Sequence, residues 1–207
     1  ADENWTELRQ LYQKVSINLL TAGLLLFGCV WVSAADLYAI MPNSAEIAQG
    51  KYVLLFLCLA KLVDMGAGLN NQLVYYSKFY RYSAISLGFL AVGNILFNLW
   101  LIPLLGITGA AVATLISVSG YNLFNLFLVW KKFGMHPFSR NTLLVTGLAG
   151  AVLAVVWFLP PGDFPLLNIV LRSGLFTLLF TILVLRFNVS PDLNAMWREF
   201  LIRVKKT

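Results

Sequence analysis

Charge is scarce in this chain: only 12% of its 207 residues are Asp, Glu, Lys or Arg. A soluble domain carries about 25%, so this chain has too little polar surface to cover itself in water. Histidine occurs once, at His136, which argues against a His-ligated metal site and a histidine-based catalytic triad. Cysteine occurs twice, at Cys29 and Cys58, both inside apolar runs. They read as small core residues, not as a disulfide framework. There is no P-loop and no Gly-rich nucleotide motif. No segment has the layout of a cleavable signal peptide. No cofactor, no metal and no catalytic residue is expected, although an Asp-based membrane enzyme stays open.

What is present is hydrocarbon. Hydrophobic residues make up 59% of the chain, and the mean hydropathy is +0.79. A bilayer core about 30 Å thick needs roughly 20 apolar residues per helix. Six runs meet that length, at about 16–40, 51–76, 82–103, 107–130, 141–160 and 165–187. The gaps are short, so the expectation is one all-α integral membrane domain over 1–207 with the bilayer as its solvent. The chain opens Ala1-Asp2-Glu3 without Met, and reads as a fragment or processed product of a longer protein.

The net charge of +6 does not point to nucleic acid, because the cations collect where spans end. Arg9 and Lys14 precede the first span. Lys78 and Arg81 lie near 77–82, and Lys131, Lys132 and Arg140 near 131–140. Arg186 precedes the tail, which holds Arg198, Arg203, Lys205 and Lys206. The other gaps are poor in cations: 41–50 has Glu46 with Lys51 at its edge, 103–106 has no charge, and 160–165 has only Asp163. The positive-inside rule then places both termini in the cytoplasm. Segment 1–14, with Trp5, Leu8, Leu11 and Tyr12, is expected to lie along the headgroups as an amphipathic lead-in. Segment 191–207, with Leu193, Met196, Trp197, Phe200, Leu201 and Val204, is expected to do the same. Ser190-Pro191-Asp192 is the expected start of that second helix.

Small residues mark where spans pack. Gly106, Gly109, Ala110 and Ala113 open the fourth run and let another backbone approach closely. Gly147, Gly150 and Ala151 repeat the pattern more weakly in the fifth. Pro103 is expected to end the third run, making Leu101–Gly106 a tight hairpin. Pro160-Pro161-Gly162-Asp163 is the expected turn between the fifth and sixth.

Polar chemistry concentrates in the second run, at Lys61, Asp64 and Asn71. A lone charge at mid-bilayer costs about 2.5–3.5 kcal/mol. Lys61 and Asp64 are three apart, share a helix face and can pair. Gly66 and Gly68 invite a bend just beyond them. The pair either lines a hydrated path, contacting an anionic substrate or a coupling cation, or is a structural ion pair. Asp36 reads as a solvated rim residue. Arg172, two turns into the sixth run, either snorkels outward or faces a cavity. Asn94 and Asn98, with Tyr121, Asn122 and Asn125, read as glue between helices, with sugar contact as the sharper alternative.

The stretch Asn94-Ile95-Leu96-Phe97-Asn98-Leu99-Trp100-Leu101-Ile102-Pro103-Leu104-Leu105-Gly106-Ile107-Thr108-Gly109-Ala110-Ala111-Val112-Ala113-Thr114 resembles one common in polysaccharide flippases. These are the O-antigen and exopolysaccharide exporters of the multidrug/oligosaccharidyl-lipid/polysaccharide superfamily. Tyr121-Asn122, Lys131-Lys132-Phe133-Gly134 and Leu11-Tyr12-Gln13-Lys14 extend the resemblance. It implies a parent of 12–14 helices in two inverted lobes that alternate between inward-open and outward-open states. Residues 15–132 would then be the four-helix part of a C-terminal lobe and 138–188 two additional helices. The partner would be a missing N-terminal lobe of the same chain. The cargo would be an oligosaccharide on a polyprenyl pyrophosphate, crossing a bacterial inner membrane. The resemblance brings no motif onto Lys61 or Arg172; on their chemistry and placement alone, Lys61, Asn71, Asn98, Asn122 and Arg172 are the candidates to line its cavity, and Asp64 to couple an ion, H⁺ or Na⁺. Within the superfamily, a multidrug and toxin extruder or a lipid II flippase is the alternative. Outside it, the alternatives are a membrane-embedded glycan transferase or polymerase, and a non-transporting scaffold.

Overall fold

A computed structural model describes residues 2–41, 50–160, 162 and 164–204, without the side chains of 2–4 and 198–204. Glu46, Pro161, Asp163, Lys205 and Lys206 lie outside the described residues, as do the side chains of Arg198, Phe200, Leu201, Arg203 and Val204. All regular structure among the described residues is helical. In chain order the helices are α1 (Asp2–Ile40), α2 (Lys51–Ala67), α3 (Asn70–Tyr75), α4 (Tyr80–Leu105), α5 (Ile107–Phe133), α6 (Arg140–Trp157), α7 (Pro165–Arg186) and α8 (Pro191–Val204).

Five of these, α1, α4, α5, α6 and α7, are long and apolar enough to cross a membrane. On α4, Leu87, Phe89, Ile95, Leu96, Leu99 and Trp100 are all exposed. Unpartnered apolar surface on that scale needs lipid against it. The chain is a multi-pass membrane protein.

The expected second span departs from expectation. The helix stops at Ala67 after 17 residues, about 25 Å of rise, and a separate six-residue helix follows. The lead-in also differs. It is the first turns of one 39-residue helix that has no proline or end signal to stop it. Tyr12 is fully buried there, packed with Val74, Leu128, Val129 and Met135. Burial against α3 and α5, rather than headgroups, fixes that segment.

α1 is the hub. Gly23 lies against Met65 and Leu62 of α2, where an added Cβ would come within 2.8 Å of the Met65 sulfur. Gly28 receives the tip of the Phe176 ring of α7, whose Cζ lies 1.9 Å from where a Cβ would sit. Ile17, Leu20, Leu24 and Val32 form the core with Val145, Ala149, Val152 and Val156 of α6 and Phe176, Phe180 and Val184 of α7. Each set recurs every three or four residues, the period of one helix face.

α4 and α5 form a hairpin tighter than expected. Pro103 does not end α4; it is carried inside the helix, which runs to Leu105. Gly106 alone makes the connection, with φ +60. Its N–H bonds Ile102 O at 2.8 Å, and its carbonyl accepts from Gly109 N at 2.9 Å. Gly109 and Ala113 are buried, Ala110 is half-buried, and Gly106 is exposed as the turn itself. Gly147, Gly150 and Ala151 point outward and pack on nothing within the chain.

The cation-rich gaps gather at one end of the bundle. Trp5 and Phe79 both meet Phe133, and Gln13 donates to the His136 carbonyl at 3.3 Å. Asn141 donates to Val189 O at 2.9 Å. At the opposite end, Lys51 sits 5.5 Å from both the Trp31 and Trp157 rings.

α8 starts at Pro191 as expected and is fastened to α1. Lys14 pairs with Asp192, Asn18 donates to Asp192 at 2.9 Å, and Ser190 donates to Asn18. The Lys14 and Asn18 hydrogen bonds hold the Asp192 carboxyl below its usual 3.8. A lowered carboxylate stabilises the folded state above its unfolded pKa and loses that contribution as pH falls through the folded value. The fastening should therefore hold at neutral pH and loosen only below about pH 4. Hydrogen exchange of the 192–197 amides should speed up there, and Asp192→Asn should speed it at neutral pH.

Candidate functional site

The site is built by the break in α2. Gly68 has φ +62 and ψ −122, a conformation that favours glycine. A Cβ there would meet Ser16 Oγ at 1.9 Å and Ser16 Cα at 3.0 Å. The close approach of Ser16 on α1 therefore leaves room for no residue but glycine at the break. Gly66, the other candidate, stays helical. The expected bend is thus a full interruption, with Gly68 N bonding back to Met65 O at 3.1 Å.

Just before the break stand Lys61 and Asp64, with Nζ 3.0 Å from Oδ2. The side chains are 69% and 37% exposed. Lys61 is ten residues into α2, about 15 Å along it. Pairing removes part of the cost of taking the two charges out of water, but not the need for a polar surrounding.

α5 supplies the facing polar groups. Asn122 donates to Asp64 Oδ1 at 3.4 Å and to its own Val118 O at 3.0 Å. One turn on, Asn125 donates to Asn71 Oδ1 at 2.8 Å. Between these rungs Asn70 is fully buried and accepts from the Tyr12 hydroxyl of α1. The result is a polar seam across α2, α3 and α5, with Lys61 at its open edge. Three of its amide atoms, Asn70 Nδ2, Asn122 Oδ1 and Asn125 Oδ1, are buried without a protein partner.

Lys61, Asp64, Asn71 and Asn122 are thus brought together. Arg172 and Asn98 are not. Arg172 neither snorkels nor joins the seam. Its Nη1 lies 3.4 Å from Asp36 Oδ2 and its Nη2 donates to Leu159 O at 2.9 Å. Asp36 is 8% exposed, not a solvated rim residue. It also accepts from Asn168 at 3.0 Å, and Asn168 bonds both backbone polar groups of Gly162. This cluster clips the α6–α7 connection onto the end of α1. Asn98 bonds Asn94 within α4, at 2.8 Å to its side chain and 2.7 Å to its carbonyl. Both are half-buried, and no hydrogen bond among the described residues carries either of them to another helix. Asn122 and Asn125 do bridge helices. Cys29 and Cys58 are free thiols. Among the described residues no three His, Cys, Asp or Glu converge as a metal site would require.

The Asp36–Arg172 pair is nearly dry, with side chains 10% and 16% exposed. Removing one partner of such a pair leaves an uncompensated charge, a loss on the order of 3 kcal/mol. Arg172→Ala should lower the thermal unfolding midpoint, and adding Asp36→Asn should recover much of the loss.

No protein family, curated protein or solved structure matches the chain.

Asn70, Asn125 and Tyr12 belong to the seam although the polar pattern of the second run alone does not mark them. Asn125 lies one turn from Asn122, and that spacing was its available signal. Tyr12 and Asn70 had none, since their meeting depends on where α1 crosses α3.

Proposed function

We propose that this chain is the C-terminal part of a membrane transporter, a lipid-linked oligosaccharide flippase of the multidrug/oligosaccharidyl-lipid/polysaccharide superfamily. In this reading α2 and α3 in series make a sixth, broken crossing, and both termini face the cytoplasm of a bacterial cell. The parent moves a polyprenyl-pyrophosphate-linked glycan across the inner membrane by alternating access. Lys61 faces the cargo route and attracts the pyrophosphate, while Asp64 exchanges the coupling ion.

One observation supports the reading: an ion pair that is exposed rather than sealed, beside an interrupted helix; if α2 and α3 cross together, the pair lies at mid-bilayer depth. Broken helices at that depth recur where transporters bind cargo or ions, because the interruption frees backbone groups toward a cavity. The missing N-terminal lobe would supply the other wall. The experiment is complementation. A strain lacking the complete protein should lose surface glycan and accumulate the lipid-linked precursor inside, and the wild-type gene should restore both. Normal surface glycan in that strain would sink the reading.

A further inference from the structure

At the cation-rich end of the bundle two lysines stand over one ring. Lys132 Nζ lies 5.0 Å and Lys78 Nζ 5.4 Å from the Phe79 centroid. The two ammonium groups are therefore no farther apart than the sum of those distances, about 10 Å, roughly one Debye length at 0.1 M salt. Neither has an acidic partner among the described residues; Asp36, Asp64 and Asp192 are taken by Arg172, Lys61 and Lys14. Both lysines are exposed. Lys78 stands just before α4 and Lys132 in the last turn of α5. Both helices are long and apolar enough to cross a membrane, so their ends put this pair at headgroup level.

Beside the pair opens an apolar groove of about 620 Å³. Lys78 lines it, with Trp5 and Leu8 of α1, Leu73 of α3, Tyr76 and Phe133. Phe133 also packs on Phe79, with ring centroids 5.9 Å apart, so groove and cations share one aromatic wall. Trp5 and Tyr76 are exposed. The topology rule asks only that cations stand near span ends; it does not ask two of them to share a ring beside a groove. An inorganic anion would answer the lysines and leave Trp5 and the leucines bare. A neutral lipid would cover the groove and leave two like charges uncompensated. A lipid with a net negative headgroup answers both demands.

We propose that this groove binds an anionic phospholipid of the surrounding membrane. Its headgroup phosphate lies by Lys78 and Lys132, and an acyl chain lies along Leu8, Leu73 and Tyr76. The site does not depend on what the complete protein carries.

The test reconstitutes the complete protein in phosphatidylcholine membranes. Trace phosphatidylglycerol or phosphatidylcholine is added, each with the same diazirine in its upper acyl chain. After irradiation, insertion is mapped by mass spectrometry. Each lysine near the surface is worth roughly fivefold in preference for an anionic lipid. Insertion at Leu8, Leu73 and Tyr76 should therefore favour phosphatidylglycerol by about 25-fold, the product for two lysines. Leu143, exposed one turn from Arg140, is the rim control and should favour it by about fivefold at most. Lys78→Gln with Lys132→Gln, both at exposed positions, should remove the preference at the groove and leave Leu143 unchanged. Arg at both positions should keep it. Excess unlabelled phosphatidylglycerol should protect the groove, and inorganic phosphate at matched ionic strength should not. Equal preference at the groove and at Leu143 would mean a diffuse basic rim and would overturn the proposal. Protection by inorganic phosphate would overturn it too, since the lysines would then hold a free anion. So would the absence of insertion by either probe, which would mean that protein covers the groove. Export is not read in this experiment, so this proposal and the transport reading fail separately.

Discussion

Gly109→Ala is expected to be among the most damaging single-methyl changes in this chain. The new Cβ would stand 2.2 Å from the Leu101 carbonyl oxygen and 2.5 Å from its carbon. Both are backbone atoms, so no rotamer change relieves the clash. Nor can α4 slide away easily, because Gly106 alone joins it to α5. Overpacking of this kind costs about 1–3 kcal/mol where side chains can yield, and more where they cannot. Gly150→Ala is the internal control: its Cβ would meet nothing within 4 Å, and Ala favours a helix over Gly by about 1 kcal/mol. Thermal unfolding of the complete protein should show a large drop for Gly109→Ala and none for Gly150→Ala. Equal midpoints would mean that α4 and α5 do not approach as closely as described.

On the proposed function, Lys61→Ala is expected to abolish export while leaving the protein in the membrane. Lys61 is mostly exposed, so little packing is lost. What is lost is the cation at the open edge of the seam and the partner of Asp64. Hydrogen bonds to charged groups are worth about 1.5–3 kcal/mol, so a rate that depends on one should fall more than about tenfold. Lys61→Arg keeps the charge and should retain part of the export. The exchanged pair, Lys61→Asp with Asp64→Lys, separates two roles. It rebuilds the ion pair, so a structural pair would regain export. A cargo-facing Lys61 would not, although the protein accumulates, because the cation then stands beside Asn122 instead of at the open edge. Full export by Lys61→Ala would remove Lys61 from the mechanism.

The helical membrane character was legible because it is a one-dimensional property. Run length and charge spacing locate α4 to α7 within a few residues, since nothing but hydrocarbon thickness sets them. The Lys61–Asp64 pair was legible for the same reason: a three-residue spacing on one helix fixes it. Features set by meetings between helices were not. Gly68 sits at the break with Ser16 of α1 too close for any side chain, and no local signal separates it from Gly66, which stays helical. Asp36 and Arg172 lie far apart in the chain and look like two independent rim charges until α1 and α7 are side by side. Their shared depth, with Asn168 one turn before Arg172, was the one available hint. Pro103 read as a helix stop because proline usually is one; here its fixed backbone angle fits the last turn, and the glycine three residues later does the stopping. Asn94 and Asn98 read as interhelical because amides in lipid need partners, and they found each other.

The central claim is that the charged face of α2 meets water within the protein and not the acyl chains of the bilayer. Cysteine accessibility tests it most directly. With Cys29 and Cys58 replaced by Ser, single cysteines at 61 and 64 in the complete protein are exposed to a membrane-impermeant charged thiosulfonate and to a lipid-soluble maleimide. A hydrated face predicts rapid reaction of both positions with the charged reagent, while a cysteine at Leu96 on the outer face of α4 reacts only with the maleimide. Cysteines at 61 and 64 that behave like the one at 96 would contradict it.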